Sequence, residues 1–270
     1  MPKDIKIYKV RDPAEKFYVN KGEMFDLPMR LLVVGKSYNS GKTNLLTNLL
    51  LQDDKRLYRN NFKGEDVYIF SGSLNIDNKM KTIVKELDIP DCNLFNEFDD
   101  EVLDALLDNI AEEFEEKKKH SLIILDGLSF GGGLKSKTFG ALGRLFSNGR
   151  HFGASCILTA QRYCDILTSC RENCSGAILF NCSDRQLETI VYDHSYLSDK
   201  KAFKSLFRKL SNEKHTFMAV NYSNDAHKLY MNHHFQAVGV CGKPLNGGCS
   251  CMKGLKETKE KTAEKTKNEN

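Results

Sequence analysis

Residues 35–44, GKSYNSGKTN, lie between a short apolar run, LLVV at 31–34, and a segment at 43–52 in which Leu45, Leu46, Leu49 and Leu50 recur at helical spacing. Strand, glycine turn, helix is the opening of a βα unit, and it constrains the fold more than any other stretch of the chain. In such a turn the backbone N–H groups and the following helix N-terminus converge on one point, which then favours an anion. Gly35, Lys36, Ser37, Asn39, Ser40, Gly41, Lys42, Thr43 and Asn44 form the candidate lining. Lys42 is placed to reach the outer phosphates of a nucleotide such as ATP, and Thr43 to offer a hydroxyl to Mg²⁺. The usual spacing has a glycine five positions before Gly41; Lys36 stands there, with Gly35 one residue earlier. The loop is therefore one residue longer than usual, or it opens on a lysine. Gly-Lys-Thr also occurs in plain turns that feed a helix, and here the flanking strand and helix favour the phosphate loop.

The rest of the chain repeats the alternation. Strands are expected at 67–71, 121–125, 154–159 and 177–181, and two late ones at 215–222 and 229–235 could pair as an antiparallel edge. Helices are expected at 97–116, at 137–147 with a cap at Asn148-Gly149, from a Ser183/Gln186 capping box to Val191, and at 199–210. In the first of these, ten acidic residues accompany Phe98, Val102, Leu106, Ile110 and Phe114, which recur every four. This pattern predicts an α/β fold with a mostly parallel sheet flanked by helices. Of the 270 residues, 1–26 read as an N-terminal arm, 27–240 as the nucleotide-binding domain, 241–252 as a cysteine-containing connector and 253–270 as a flexible charged tail. The apolar runs are far shorter than the roughly 20 residues a bilayer span needs, and no secretory signal opens the chain. Nine cysteines, all after residue 91, are too sparse and uneven for a disulfide scaffold and read as reduced thiols.

A phosphate loop needs an acid at the tip of a neighbouring strand, and LIILD at 122–126 supplies Asp126 as a Mg²⁺ holder. The next residue, where a water-polarising acid often stands, is Gly127. Gln161 follows the strand at 154–159, which places it at the same sheet edge, where open parallel sheets collect their ligands. An amide there can orient water. The cations Lys200, Lys201, Lys204, Arg208 and Lys209 on the 199–210 helix suit either a duplex backbone or plain solvent. Cys241, Cys249 and Cys251, and separately Cys164, Cys170 and Cys174, lack the tight pairs typical of structural zinc sites.

Three segments taken together, RLLVVGKSYNSGKTNLL at 30–46, LIILDGLS at 122–129 and GRLFSNGRHFGASCILTAQRY at 143–163, resemble the viral genome-packaging ATPases of the poxvirus type, a branch of the FtsK/HerA superfamily. The resemblance covers about residues 27–222. It implies a P-loop NTPase with a RecA-like sheet, an ATP- and Mg²⁺-dependent motor working as a homo-oligomeric ring that moves double-stranded DNA into a capsid. It further implies Lys42 and Thr43 as the Walker A lysine and hydroxyl, Asp126 as the Walker B aspartate and Gln161 as the γ-phosphate sensor. Arg150 becomes a candidate arginine finger at a subunit interface, with Arg144 and Arg162 as rivals. Capsid or internal membrane proteins are implied partners, and the virion or the host cytoplasm at assembly sites is the implied location. Gly127 departs from the family pattern. Two other readings compete: a non-hydrolysing nucleotide-binding scaffold, which Gly127 favours, and a P-loop kinase for a small molecule, which leaves NGRH at 148–151 and TAQ at 159–161 unexplained.

Overall fold

Strands that read as unbroken apolar runs become the middle of a sheet covered on both faces, because only there can every side chain be buried. The computed structural model describes residues 24–37, 40–127 and 140–245. Its strands are β1 (Arg30–Val34), β2 (Val67–Ser71), β3 (Leu94–Phe95), β4 (Ser121–Asp126), β5 (Ala154–Ala160), β6 (Gly176–Phe180), β7 (Phe217–Asn221) and β8 (Tyr230–Met231). They form one sheet in the order β3-β2-β4-β5-β1-β6-β7-β8. All pairings from β3 to β6 are parallel, and β7 and β8 close the sheet as the expected antiparallel edge.

The helices are α1 (Lys42–Leu51), α2 (Asn78–Glu86), α3 (Asp100–Lys117), α4 (Ala141–Asn148), α5 (Thr168–Glu172), α6 (Asp184–His194) and α7 (Lys200–Leu210). Alternate strand residues feed two cores. Leu31, Val33, Leu122 and Ile124 pack with Leu46 and Leu49 of α1 and Met80 and Ile83 of α2. Leu32, Val34, Ile123 and Leu125 pack with α3, α4, α6 and α7 through Leu107, Leu145, Leu187 and Phe203. Met24 and Phe25 are buried too, and Tyr58 Oη donates to the Phe25 carbonyl at 2.8 Å.

Several local expectations need correction. The acidic helix begins at Asp100 and is capped by Asp99, whose Oδ1 accepts from the N–H groups of Glu101 and Val102. Its buried face is Leu103, Leu106, Leu107, Ile110 and Phe114, while Val102 is 38% exposed. A strict four-residue repeat drifts by about 40° per step around a helix of 3.6 residues per turn, so it cannot stay on one face. Gly149 stands at the C-cap of α4, its N–H donating to the Leu145 carbonyl, but at φ −48° rather than in the left-handed form, so the chain continues in a 3₁₀ turn over Gly149–Phe152. The stop is Gly153, at φ +70°, where a Cβ would lie 2.4 Å from the Phe114 ring. The Ser183/Gln186 capping box does not form; Ser183 makes no side-chain cap bond, and Gln186 Oε1 accepts from Tyr163 N at 2.8 Å. The start of the expected 137–147 helix falls partly outside the described residues, as do most of the arm and the charged tail.

Candidate nucleotide site

The carboxyl ends of the parallel strands form the site. Beyond β1 the chain turns at Gly35, whose N–H donates to the Ala160 carbonyl at 3.1 Å. A Cβ at Gly35 would stand 2.9 Å from Phe180 Cβ, so β6 leaves room only for glycine there. Gly41 precedes α1 at φ +98°, a conformation that favours glycine. α1 then starts at Lys42, and the free N–H groups of its first turn face the loop. Lys42 Nζ donates to the carbonyls of Gly35 at 2.6 Å and Lys36 at 3.0 Å, and reaches Ser40 Oγ at 3.5 Å. Lys36 thus enters the loop through its backbone, while its own side chain is exposed. Burial pulls the Lys42 ammonium below the usual lysine range, opposed by the negative charge of Asp126. Ser37 is exposed, and Asn39 lies outside the described residues.

Asp126 ends β4 and is 5% exposed. Its Oδ1 accepts from Thr159 Oγ1 at 2.7 Å and its Oδ2 from Ser71 Oγ at 3.2 Å. The register explains this clamp: Ser71 stands opposite Asp126 across β2 and β4, and Thr159 lies at the end of β5 on the other side. All three side chains follow the parity of residues packed under α1 and α2, so the carboxylate lies on the α1 face of the sheet. The hydroxyls fix its orientation and engage one lone pair on each oxygen, leaving the others for a ligand. Sequence reasoning passed over Ser71 and Thr159; the available signal was a hydroxyl residue closing an otherwise apolar strand. Thr159 Oγ1 also accepts from Gly127 N at 3.0 Å. Gly127 itself sits at φ +61°, and among the described residues nothing lies within 4 Å of where its Cβ would be.

β5 separates β1 from β4, so the loop and the acid lie two strand spacings apart, about 10 Å. Gln161 follows β5 directly, because that strand runs to Ala160, and it stands exposed at the tip between them. Arg162 is next, 58% exposed and 3.7 Å from Asp165. Thr43 and Asp126 offer a hydroxyl and a carboxylate oxygen, hard donors that fit Mg²⁺. No cluster of three or more His, Cys, Asp or Glu able to hold a metal occurs among the described residues, which include Cys164, Cys170 and Cys174 but, of the other group, only Cys241; Cys249 and Cys251 lie outside them.

Arg150 requires a correction. Its turn precedes β5, which puts it at the amino edge of the sheet, opposite Lys42 and Asp126. The seven residues of β5 separate those edges by about 20 Å. Arg144 is committed elsewhere, to Asp104 at 2.9 Å and Asp108 at 2.6 Å of α3, bonds that raise its pKa. The basic face of α7 is also largely spent within the chain. Lys204 pairs with Glu188, Arg208 with Asp184 and the Cys182 carbonyl, and Lys209 donates to the Cys241 carbonyl.

Lys42 and Asp126 flank an inserted strand with Gln161 at its tip, and this arrangement defines a P-loop NTPase with a RecA-like, mostly parallel sheet. A family profile described as the Poxvirus A32 protein matches residues 15–224. The chain belongs to that family, the poxvirus genome-packaging ATPases that its sequence resembles. The crystal structure of B204, the DNA-packaging ATPase from Sulfolobus turreted icosahedral virus, has the same fold, with a TM-score of 0.53 at 14% identity over 73% of this chain and 93% of that one. The genome packaging NTPase B204 from Sulfolobus turreted icosahedral virus 2 in complex with AMP gives a TM-score of 0.51 at 17% identity, over 73% and 94%. Among curated proteins, none matches.

Proposed function

We propose that this packaging ATPase hydrolyses ATP at the β1–α1 loop to drive double-stranded DNA into a capsid. The observation that carries the reading is the Asp126 carboxylate, clamped by Ser71 and Thr159 on the face of the sheet that holds Lys42. The genome packaging NTPase B204, which shares this fold, has been solved in complex with AMPPCP and with AMP, and this supports a nucleotide as the ligand here. Lys42 sets a positive charge against the β- and γ-phosphates, and the α1 N-terminus adds its N–H groups. Thr43 and Asp126 would hold Mg²⁺, which when bound neutralises charge on the phosphate oxygens. Gln161 orients the attacking water. The water oxygen bonds to the γ-phosphorus, the bond to the bridging oxygen of ADP breaks, and the water's proton passes late to a phosphate oxygen. No side chain at Gly127 is required for that transfer, and the absence of a strong base there favours slow turnover.

We assign the chain to a homo-oligomeric ring, acting in the virion or the host cytoplasm at assembly sites beside capsid or internal membrane proteins. Residues 27–240 are the motor domain in this reading, 1–26 its arm, 241–252 a connector and 253–270 a tail. Among the described residues no helix is long and apolar enough to cross a membrane. Arg150, at the far edge, serves only a neighbouring subunit's site, whereas Arg162 is the arginine beside Gln161 in the same chain.

ATPase turnover with and without linear duplex DNA tests the function. Wild-type protein is expected to hydrolyse ATP faster with DNA, and Lys42→Ala to lose about 100-fold or more in turnover with unchanged thermal unfolding. A folded Lys42→Ala protein with wild-type turnover overturns the assignment.

A further inference from the structure

A cavity of about 310 Å³ opens directly beside the phosphate loop, against Gly41 and Asn44 at the start of α1. It lies on the side of the loop away from the hydrolytic groups. Asp126 and Gln161 stand beyond β5, whereas the cavity is walled by Phe180 at the end of β6, Phe217 at the start of β7, and His233 and Phe235 beyond β8. Phe180 and Phe217 are register partners, so both rings stand at the carboxyl edge with the loop. The aromatic wall is continuous: Phe217 lies 5.3 Å from Phe180, 5.4 Å from Phe235 and 6.5 Å from His233, centroid to centroid. Leu45, Leu49 and Leu57 line the same cavity. Its charged members, Asp54 and Arg56, neutralise each other at 2.7 Å. His215 joins wall to loop, with Nδ1 3.5 Å from the Ser40 carbonyl oxygen.

A triphosphate seated on the loop has a direction. Its terminal phosphate must face Lys42, Asp126 and Gln161, so the nucleoside leaves on the opposite side, toward β6 and β7. What lies there is an apolar floor with aromatic faces, the surface on which nucleobases stack. The volume is at the lower end of the range for small-molecule pockets, which suits a base with its ribose. We propose that this cavity is the nucleobase site of the ATPase, with His233 and Phe235 as its stacking wall. The inference rests on the phosphate-loop reading and extends it from the phosphates to the base.

Calorimetric titration of the full chain with MgATP and, separately, with magnesium tripolyphosphate tests both layers. His233 is exposed, so His233→Ala leaves the core untouched; Phe235→Ala is the second variant. Each is expected to weaken ATP binding about tenfold, or about 1.4 kcal/mol, while tripolyphosphate affinity stays at the wild-type value. Lys42→Ala is expected to weaken both ligands. If His233→Ala and Phe235→Ala leave ATP affinity unchanged, or weaken tripolyphosphate equally, the base site is overturned and the phosphate loop stands. Should the wild-type chain bind neither ligand, or Lys42→Ala bind both normally, the phosphate-loop reading falls and takes the base site with it.

Discussion

At the scale of single residues, the site depends on two hydroxyls that hold one carboxylate. Thr159→Val keeps the shape of the side chain but leaves Asp126 Oδ1 and the Gly127 N–H without their partner. A buried polar group stripped in this way costs about 1–3 kcal/mol, so urea unfolding is expected to show a loss of that size. Turnover should fall further than ATP affinity, because the carboxylate loses its orientation; a matching loss in Thr159→Ser, which restores the hydroxyl, would contradict this account. Gly127 calls for a different argument. Among the described residues nothing lies within 4 Å of a Cβ placed there, and its φ of +61° resists a side chain. Left-handed backbone costs an ordinary residue about 1–2 kcal/mol but is milder for asparagine. Gly127→Asn is therefore expected to be more stable than Gly127→Ala in chemical denaturation, by up to about 1 kcal/mol.

At the scale of elements, α6 and the segment after β5 are joined by a buried polar chain. Tyr163 Oη donates to Asp193 Oδ2 at 2.8 Å, and Arg171 Nη1 donates to the same oxygen at 2.6 Å. The Tyr163 proton is thus used, so His194 Nε2 donates to the Tyr163 oxygen and Nδ1 accepts from Tyr222 Oη. Burial, opposed by Asp193 and aided by Arg171, pushes His194 down to about 4. Its ordinary value is about 6.5, so between the two the unfolded chain binds a proton that the native state refuses. This contribution is complete above about pH 6.5 and is lost as pH falls toward 4. From pH 7 to pH 5 the loss amounts to about 2 kcal/mol, and in His194→Gln the pH dependence of urea unfolding should flatten by that amount.

The same scale shows what a reader of the sequence can and cannot recover. The strands β1, β4, β5 and β6 are legible because burial on both faces demands unbroken apolar runs. α2 is not, since only Met80 and Ile83 of its nine residues are buried, with Val84 partly so, and three lysines interrupt the apolar pattern. Lys42 and Asp126 are legible because their motifs are contiguous. Ser71 and Thr159 can be noticed as hydroxyls near the ends of apolar strands, but that they hold Asp126 follows only from strand register, across separations of 55 and 33 residues. Arg150 shows a related limit: the resemblance supplies a role, whereas its edge of the sheet follows from its standing before β5 rather than after it.

At the scale of the whole molecule, the distance between Arg150 and Lys42 becomes an assembly question. If the arginine serves a neighbour, mixing Arg150→Ala with Lys42→Ala protein should restore some ATPase activity, because one intact site can form at a mixed interface. Mixed rings that assemble yet show no rescue would leave Arg162 as the arginine for the site. Both ends of the sheet also bear on how copies can meet. β3 and β8, the outermost strands among the described residues, are each two residues long. So short a rim presents almost no unpaired backbone ladder to another chain. Among the described residues, then, neither rim offers a ladder long enough to continue the sheet into another copy, and a joint made at these rims rests on side chains. In the ring proposed above, such a joint can slide or tilt without breaking a hydrogen-bonded ladder.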